Sequence, residues 1–227
     1  DAVCLAKQCG FDNISIDLIY GLPHQTLKDL EKDIDTALSL PATHISTYCL
    51  TIEENTPLYR LYSSNRNLKQ YDELLNDMYV LICDKLQGWY HYEVSNFAID
   101  RSHISRHNSS YWNDTPYIGI GAGAHSYDGN KTRSWNIPDL DAYIENIKSG
   151  KVPFEAETLT EEDKHTEYIM LGLRTNGGID LDKTDKARIL RKAQPFIDKG
   201  QLSIKGNRLC ATLKGIAILN LIIEELI

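Results

Sequence analysis

The densest group of chemically versatile side chains lies between residues 106 and 112. His107, Asn108, Tyr111 and Trp112 place an imidazole, an amide and two large aromatic rings within six residues, directly after the guanidinium of Arg106. A neutral imidazole can ligate iron, aromatic rings can stack on a flat macrocycle, and a guanidinium can pair with a carboxylate. The residues alone favour a simpler interpretation, a loop that packs Tyr111 and Trp112 into the core with His107 hydrogen-bonded.

A single carboxylate, that of Asp17, interrupts the apolar segment 14–20, whose composition predicts a buried strand. Because a buried carboxylate is costly unless it is hydrogen-bonded, we expect it to have a partner near a strand end. In a parallel β/α barrel, the C-terminal ends of the strands carry the ligand site. Asp17 is therefore either a ligand-binding residue or a structural acid at a barrel rim, and the spacing leaves both interpretations open.

Three glycines at alternate positions, Gly119, Gly121 and Gly123, give only a weak indication of a nucleotide-binding loop. Such a loop needs a strand before it and a helix after it, whereas a hairpin is predicted to follow here. The glycines are better explained by close packing or tight backbone bends.

Composition excludes several classes of protein. The chain has 24 Lys and Arg against 32 Asp and Glu, a net charge of −8, which argues against a general nucleic-acid coat. No segment approaches the ~20 apolar residues of a membrane span, and no secretory signal opens the chain. The cysteines are odd in number and form no CxxC, which favours reduced thiols and a cytoplasmic location. They are Cys4, Cys9, Cys49, Cys83 and Cys210.

The elements that position these side chains begin with a predicted strand–helix–strand unit. Segment 14–20 ends at Gly21, and Thr26 is a candidate helix cap with Asp29 three residues later. Apolar residues at helical spacing follow until Pro41, and segment 44–52 is the next strand. Short connections between these elements predict a βαβ unit and hence a parallel sheet.

The remaining elements follow from periodicity and turn residues. They are a helix over 66–87, a strand over 90–96, a loop over 99–110, and a hairpin of 118–127 and 131–135 around the two-residue turn Asp128-Gly129. A short helix over 140–150, a helix capped by Thr160 and ending at 174, a helix near 184–199, a small hairpin around 206–207 and a final helix over 212–226 complete the chain.

We predict two domains, 1–138 and 139–227, because the composition shifts near Pro138 and the second part has the order of a winged-helix-like domain. The stretch from Lys183 to Lys214 contains nine Lys or Arg against two Asp. This local excess of positive charge fits a solvated helix face or a patch facing RNA or a ligand's carboxylates.

Several stretches form a specific set. They are residues 15–23 with Gln25-Thr26, residues 51–54 with Thr56-Pro57, residues 92–98 leading into His-Asn-x-x-Tyr-Trp at 107–112, residues 119–125, and Leu213-Lys214-Gly215. Together they resemble the oxygen-independent coproporphyrinogen III oxidase-like family of radical S-adenosylmethionine (SAM) proteins. The resemblance covers nearly the whole chain, and its motifs are specific only as a set.

The resemblance implies an α/β fold, in which the C-terminal part of a partial (β/α)6 TIM-like radical SAM barrel precedes a small α+β winged-helix-like domain. Segments 14–20 and 44–52 would be its fifth and sixth strands. It further implies that Asp17, Ile19, Leu50 and Thr51 lie at the pocket for S-adenosylmethionine.

The His-Asn-x-x-Tyr-Trp element resembles the haem chaperone branch of this family, whose members bind haem and deliver it to haemoproteins. On this interpretation His107 is an iron ligand, Tyr111 and Trp112 form a stacking wall, and Arg106 pairs with a propionate, with Asn108 part of the same element. Haem is then the cargo, and a recipient haemoprotein is the partner.

Two alternatives stay open at this point. The first is the oxidase itself, which decarboxylates two propionates with a 5′-deoxyadenosyl radical. The second is a nucleic-acid-binding winged helix served by the stretch 183–214, whose binding would weaken steeply with salt. The His-Asn-x-x-Tyr-Trp element favours the chaperone over the oxidase. We expect no nucleic-acid partner, because a winged-helix-like domain is also a common packing module and a fold does not fix a function.

The sequence departs from the family in one major respect, since the CxxxCxxC loop that holds the 4Fe–4S cluster does not occur. We therefore expect a C-terminal fragment of a longer parent. The parent would carry the cluster and S-adenosylmethionine, and the fragment alone would bind neither and make no radical. Segment 14–20 would then become an exposed sheet edge, which predicts self-association.

Overall fold

A computed structural model describes residues 1–62 and 68–227. The described helices are α1 Ala2–Gln8, α2 Leu27–Leu38, α3 Pro57–Tyr62, α4 Leu68–Lys85, α5 Arg106–Trp112, α6 Leu140–Lys148, α7 Glu161–Leu173, α8 Lys186–Asp198, α9 Leu213–Ile216 and α10 Leu219–Leu226. The described strands are β1 Ser15–Tyr20, β2 His44–Cys49, β3 Tyr90–Glu93, β4 Asn96–Ala98, β5 His125–Tyr127, β6 Thr132–Asn136, β7 Phe154–Thr158, β8 Ile179–Asp180, β9 Leu202–Lys205 and β10 Arg208–Ala211.

The predicted βαβ unit is confirmed. Strands β1 and β2 pair in parallel along their whole length, from Ser15 opposite His44 to Tyr20 opposite Cys49. Helix α2 connects them and begins at a capping box, in which the Thr26 hydroxyl accepts the Asp29 N–H and the Asp29 carboxylate accepts the Thr26 N–H. These reciprocal bonds satisfy two backbone donors that a helix start otherwise leaves unpaired.

One four-stranded sheet has the order β1-β2-β4-β3. The single strand predicted over 90–96 is wrong, because β3 and β4 form a hairpin whose turn lies at Val94 and Ser95. On one face of this sheet, helices α2 and α4 close a core of fully buried side chains. Its largest members are Phe97, Leu30, Ile34, Ile45, Met78, Ile82 and Leu86.

The predicted helix over 66–87 is confirmed from Leu68 to Lys85, and its first two residues lie outside the described ones. Gly88 follows it with a φ of +102°, the left-handed conformation that glycine adopts without steric cost.

Strand β1 is half-exposed, which corrects the prediction of a buried strand around a hydrogen-bonded Asp17. Leu18 and Tyr20 face the core, while Asp17 and Ile19 alternate to the opposite face and are exposed. The side chains on one face of β1 are exposed because the core lies on the other face of the sheet. In addition, β1 is the edge strand of its sheet. The Asp17 carboxylate is therefore open to solvent in this chain.

The exposed edge gives a testable expectation. We expect the chain to form concentration-dependent dimers in analytical ultracentrifugation, because an edge strand presents unpaired backbone groups to a second copy. Ile19→Lys is expected to restore the monomer, while Leu5→Lys, a change at another exposed leucine, leaves the dimers in place. A strict monomer at high concentration of the unaltered chain contradicts this expectation.

A second sheet has the order β5-β6-β7, and the predicted hairpin is confirmed with a correction to its turn. The Asp128 N–H bonds the carbonyl of Thr132, so the loop spans three residues rather than two. The Asp128 carboxylate accepts the N–H groups of Asn130, Lys131 and Thr132 and fixes this loop. Residues 118–124 are irregular rather than strand, and β7 was not predicted.

The third sheet has the order β8-β10-β9 and packs with α7, α8 and α10 around a separate apolar core. The capping box of Thr160 with Asp163, helix α8 and the hairpin at Gly206-Asn207 are all as predicted. The final helix is not continuous, because residues 217–218 form a turn between α9 and α10.

The chain divides into two compact units, each described separately. The first comprises Asp1–Ile104 and Ala211–Ile218, and Ile216 of its second piece packs against the core of the β1-β2-β4-β3 sheet. The second comprises Ser105–Cys210 and Leu219–Ile227. The boundary predicted near Pro138 does not coincide with this division, because β6 and β7 pair across it. The two sequence domains 1–138 and 139–227 stay a prediction.

Candidate functional site

The segment 106–112 is a helix, which corrects the predicted loop. Ser105 caps α5 by accepting the backbone N–H of Asn108 on its hydroxyl at 3.2 Å. A serine followed by a helix with no apolar stripe is a weak signal, and it was the only one available in the sequence. The side chains of the His-Asn-x-x-Tyr-Trp motif therefore project from a helix, which fixes their directions relative to one another.

His107 lies on the surface of α5 and has one aromatic neighbour on the same face. Tyr111, one turn later, is 42% exposed, and its hydroxyl lies 3.3 Å from His107 Nε2. The two rings meet edge to face at 5.1 Å, and Tyr111 meets Tyr117 in the same way at 5.0 Å. Tyr111 is therefore not packed into the core, so the simpler interpretation is wrong for this residue, whereas its expectation of a hydrogen-bonded His107 is confirmed.

Trp112 points in a different direction from His107 and Tyr111. Residues one apart on a helix differ by about 100° in direction, so Tyr111 and Trp112 do not form one continuous wall. Trp112 is half-buried and lines a cavity within the second unit. Arg106 is exposed, and Asn108 is half-buried with its backbone N–H used by the cap.

The four residues predicted for S-adenosylmethionine lie in the first unit: Asp17 in the middle of β1, Ile19 near its C-terminal end, and Leu50 and Thr51 directly after β2. Asp17 and Ile19 share the open face of β1. The N–H of Leu50 bonds the carbonyl of Tyr20 at 2.8 Å, which brings Leu50 beside the end of β1, and Thr51 follows as an exposed residue.

A hydrogen-bonded chain on the same sheet face was missed by sequence reasoning. His44 is buried; its Nδ1 lies 2.8 Å from the Ser15 hydroxyl and its Nε2 lies 2.8 Å from the Tyr92 hydroxyl. Burial lowers the pKa of His44, while the nearby Asp17 charge acts in the opposite direction. The available signal was a polar residue at the start of each of two predicted strands, Ser15 and His44. It becomes informative only once the register places these two residues opposite each other.

The Glu93–Asn96 pair lies buried at the β3–β4 hairpin. The Asn96 side-chain amide and the Ser95 N–H both donate to Glu93 Oε1. Burial raises the pKa of Glu93, against the lowering effect of those two hydrogen bonds. Among the described residues, Asn96 Oδ1 is buried and meets no hydrogen-bond donor.

The glycines at 119, 121 and 123 serve the backbone, as predicted. A Cβ on Gly119 would collide with the backbone of His125, and Gly121 and Gly123 have φ of +116° and +69°. The strand β5 follows them, so this is not the strand–loop–helix of a nucleotide site.

The residues present do not fit an iron–sulfur cluster. Within residues 1–62 and 68–227, no three His, Cys, Asp or Glu side chains converge on a common metal position, and residues 63–67 contain no cysteine. Cys4, Cys9 and Cys49 are exposed, Cys83 is half-buried and Cys210 is buried, and these five cysteines form no disulfide bond.

Much of the basic stretch 183–214 is engaged within the protein. Lys186 contacts Asp182 and Asn207, and Arg208 donates to the carbonyls of Gly177 and Gly178. These contacts favour a packing role for several of the charges over a continuous nucleic-acid surface.

Comparison with known proteins shows which proteins this chain resembles. The heme chaperone HemW of Bacillus subtilis is 41% identical over 177 residues, which are 77% of this chain and 46% of the relative. HemW of Mycobacterium tuberculosis is 31% identical over 221 residues, 96% of this chain and 56% of the relative. The HemN C-terminal domain matches residues 159–218.

The chain belongs to the HemN and HemW family of radical SAM proteins. It spans about half the length of the curated relatives it matches. The structure of coproporphyrinogen III oxidase (HemN) from Escherichia coli superposes with a TM-score of 0.74 at 18% identity, covering 99% of this chain and 57% of that one. This confirms the predicted fold, a part of the radical SAM barrel and a small α+β domain.

Among the helices of the described residues, none has both the length and the hydropathy to cross a bilayer.

Proposed function

We propose that this chain is the part of a haem chaperone that binds haem and passes it to a recipient haemoprotein. The observation that carries the proposal is the exposed imidazole of His107, held with Tyr111 on one face of the capped helix α5. Relatives at 41% and 31% identity are named heme chaperones, which supports the same function.

The geometry of α5 suits a ligand that must also be released. A capped helix fixes the direction of the His107 ring, and the Tyr111 hydroxyl at 3.3 Å orients it. Neutral imidazole is a common axial ligand of haem iron. Because His107 is exposed, a recipient protein can approach the iron and compete for it, which a buried ligand would prevent.

The test is a haem titration followed by the Soret band. Saturable binding is expected, and His107→Ala is expected to weaken it by at least about tenfold, since even the partners behind a metal ligand contribute 10- to 100-fold. His103→Ala is the matched control, because that imidazole is already held by Asp100. Equal affinities of the His107→Ala and unaltered chains would remove His107 as the ligand, and absence of saturable binding would remove haem binding by this chain.

The roles of S-adenosylmethionine and the cluster are proposed for the full-length parent only. Asp17, Ile19, Leu50 and Thr51 would hold S-adenosylmethionine there, which supplies a radical precursor when the cluster is present. In this chain Asp17 offers hydrogen-bond acceptors and Ile19 an apolar contact. A cytoplasmic location, expected from the free thiols, belongs to the same proposal.

A further inference from the structure

A cavity of about 500 Å³ lies within the second unit, beside the end of α5. Its volume is in the range of small-molecule and cofactor sites. The side chains that matter for recognition are Trp112, Tyr168, Lys164, Lys183 and Arg208. Trp112 belongs to the motif on α5, but the cavity itself was not predicted.

One of the two aromatic side chains of the cavity, Tyr168, is fixed in position by a hydrogen bond. The Tyr168 hydroxyl accepts the backbone N–H of Asp180 at 2.7 Å, which ties α7 to β8. Lys183 Nζ lies 5.9 Å from the centroid of the Tyr168 ring. Trp112, half-buried, contributes a second ring. The cavity therefore offers flat apolar surface beside a cation.

The charge of the cavity is positive. Glu167 is neutralised by Arg133, whose two terminal nitrogens bind its two oxygens at 2.8 and 3.1 Å. The other charged residues of the lining are three cations, Lys164, Lys183 and Arg208, and one carboxylate, Asp114. Arg208 is oriented by the carbonyls of Gly177 and Gly178, and a guanidinium has five donors, so some stay available to a ligand.

A neighbouring cavity in the same unit has the opposite character. It is lined by Tyr117, His125 and Trp135, but its charged residues are Glu155, Glu157 and the already paired Arg133. An anionic ligand would meet two carboxylates there. The two cavities therefore differ in the charge of their lining, although both contain aromatic rings.

We propose that the cavity at Trp112 binds a planar tetrapyrrole by its carboxylates, with Lys164 and Lys183 pairing with the two propionates and Trp112 lying against the ring. The proposal rests on the proposed function, since it takes the class of ligand, a tetrapyrrole with two carboxylates, from that function. It does not require His107, because pairing and stacking do not involve the metal.

The test uses metal-free protoporphyrin, whose binding does not depend on an iron ligand. Saturable binding by the full chain is expected from quenching of porphyrin fluorescence. The double variant Lys164→Glu, Lys183→Glu is expected to weaken binding roughly tenfold or more, the effect of losing at least one charge-assisted pair. Lys148→Glu, Lys151→Glu makes the same change of charge at exposed sites outside the cavity and is expected to leave affinity unchanged. The dimethyl ester of protoporphyrin, which lacks both carboxylates, is expected to bind as weakly to the unaltered chain as the free acid does to the double variant.

The outcomes separate this proposal from that on His107. Equal loss in the two double variants, equal affinity for the ester, or no binding of metal-free protoporphyrin each overturns the cavity proposal. If the iron-containing ligand still binds in a His107-dependent manner, the proposed function stands without the cavity. If Lys164→Glu, Lys183→Glu is misfolded by circular dichroism, Trp112→Ala against Trp112→Phe replaces it, with loss expected only for alanine.

Discussion

Phe97→Ala is expected to lower the free energy of unfolding by about 3–5 kcal/mol, the usual range for truncation of a buried phenylalanine. Phe97 is 1% exposed and lies in β4, at the centre of the first sheet. Its ring stacks on that of His91 at 4.1 Å, and it packs in the core cluster with Ile45 and Met78. Phe97 is the one large apolar side chain of β4, a strand that is also paired with β2 and β3.

The measurement is urea denaturation followed by tryptophan fluorescence, since Trp89 packs against the same cluster. Ile99→Ala is the control, because Ile99 is two residues away but 48% exposed. Its effect is expected to stay within about 0.5 kcal/mol. Similar losses for both variants would show that Phe97 is not a central part of the core.

Stability is expected to depend on pH through two buried groups that act in opposite directions. Burial lowers the pKa of His44, so the unfolded chain takes up that proton first as the pH falls below about 6.5. Its contribution to stability is therefore present above that pH and lost on acidification. Burial raises the pKa of Glu93, so its ionisation costs stability as the pH rises from about 4.5 through the folded-state pKa.

Two substitutions isolate these contributions. In urea denaturation at pH 7.5, 6.5 and 5.5, His44→Gln is expected to lose less stability on acidification than the unaltered chain. Glu93→Gln, which retains an oxygen acceptor, is expected to be most favourable relative to the unaltered chain at pH 7.5. His91 is half-buried and its pKa is also lowered by desolvation, so His44→Gln reduces the acid sensitivity without abolishing it. Parallel pH profiles for all three proteins would contradict both assignments.

Elements with strong local signals were predictable from the sequence. The βαβ unit follows from two apolar segments, the Thr26–Asp29 capping box and Pro41, and α7 follows from the same type of cap at Thr160. In each case a short-range hydrogen bond and a periodic apolar face specify the same structure, so little depends on distant parts of the chain.

Elements defined by distant contacts were not predictable. All residues of β7 are exposed, so its sequence has no buried alternate positions, and only pairing with β6 makes it a strand. The turn at Val94-Ser95 lacks the Asn-Gly type of signal and is instead accompanied by the buried Glu93–Asn96 pair. Helix α5 has seven residues and no buried face.

The candidate site was predictable by residue but not by arrangement. The motif identified His107 and Tyr111, and the structure brings them within hydrogen-bonding distance. The relative directions of Tyr111 and Trp112 could not be predicted, because a helix directs consecutive side chains apart and the sequence indicated a loop. The exposure of Asp17 also depends on its strand lying at a sheet edge, which the residues around it do not encode.

The discontinuity of the first unit has a consequence for synthesis of the protein on the ribosome. Ile216 completes the core of a unit whose other piece ends at Ile104, and the 106 residues from Ser105 to Cys210 separate the two pieces. At about 5–20 residues per second, translation of the intervening segment takes roughly 5–20 s. During that interval the nascent first piece lacks Ile216, so the part of its apolar core that Ile216 contacts is uncovered while its sheet edge is also exposed. This is the interval in which protection by folding chaperones matters most.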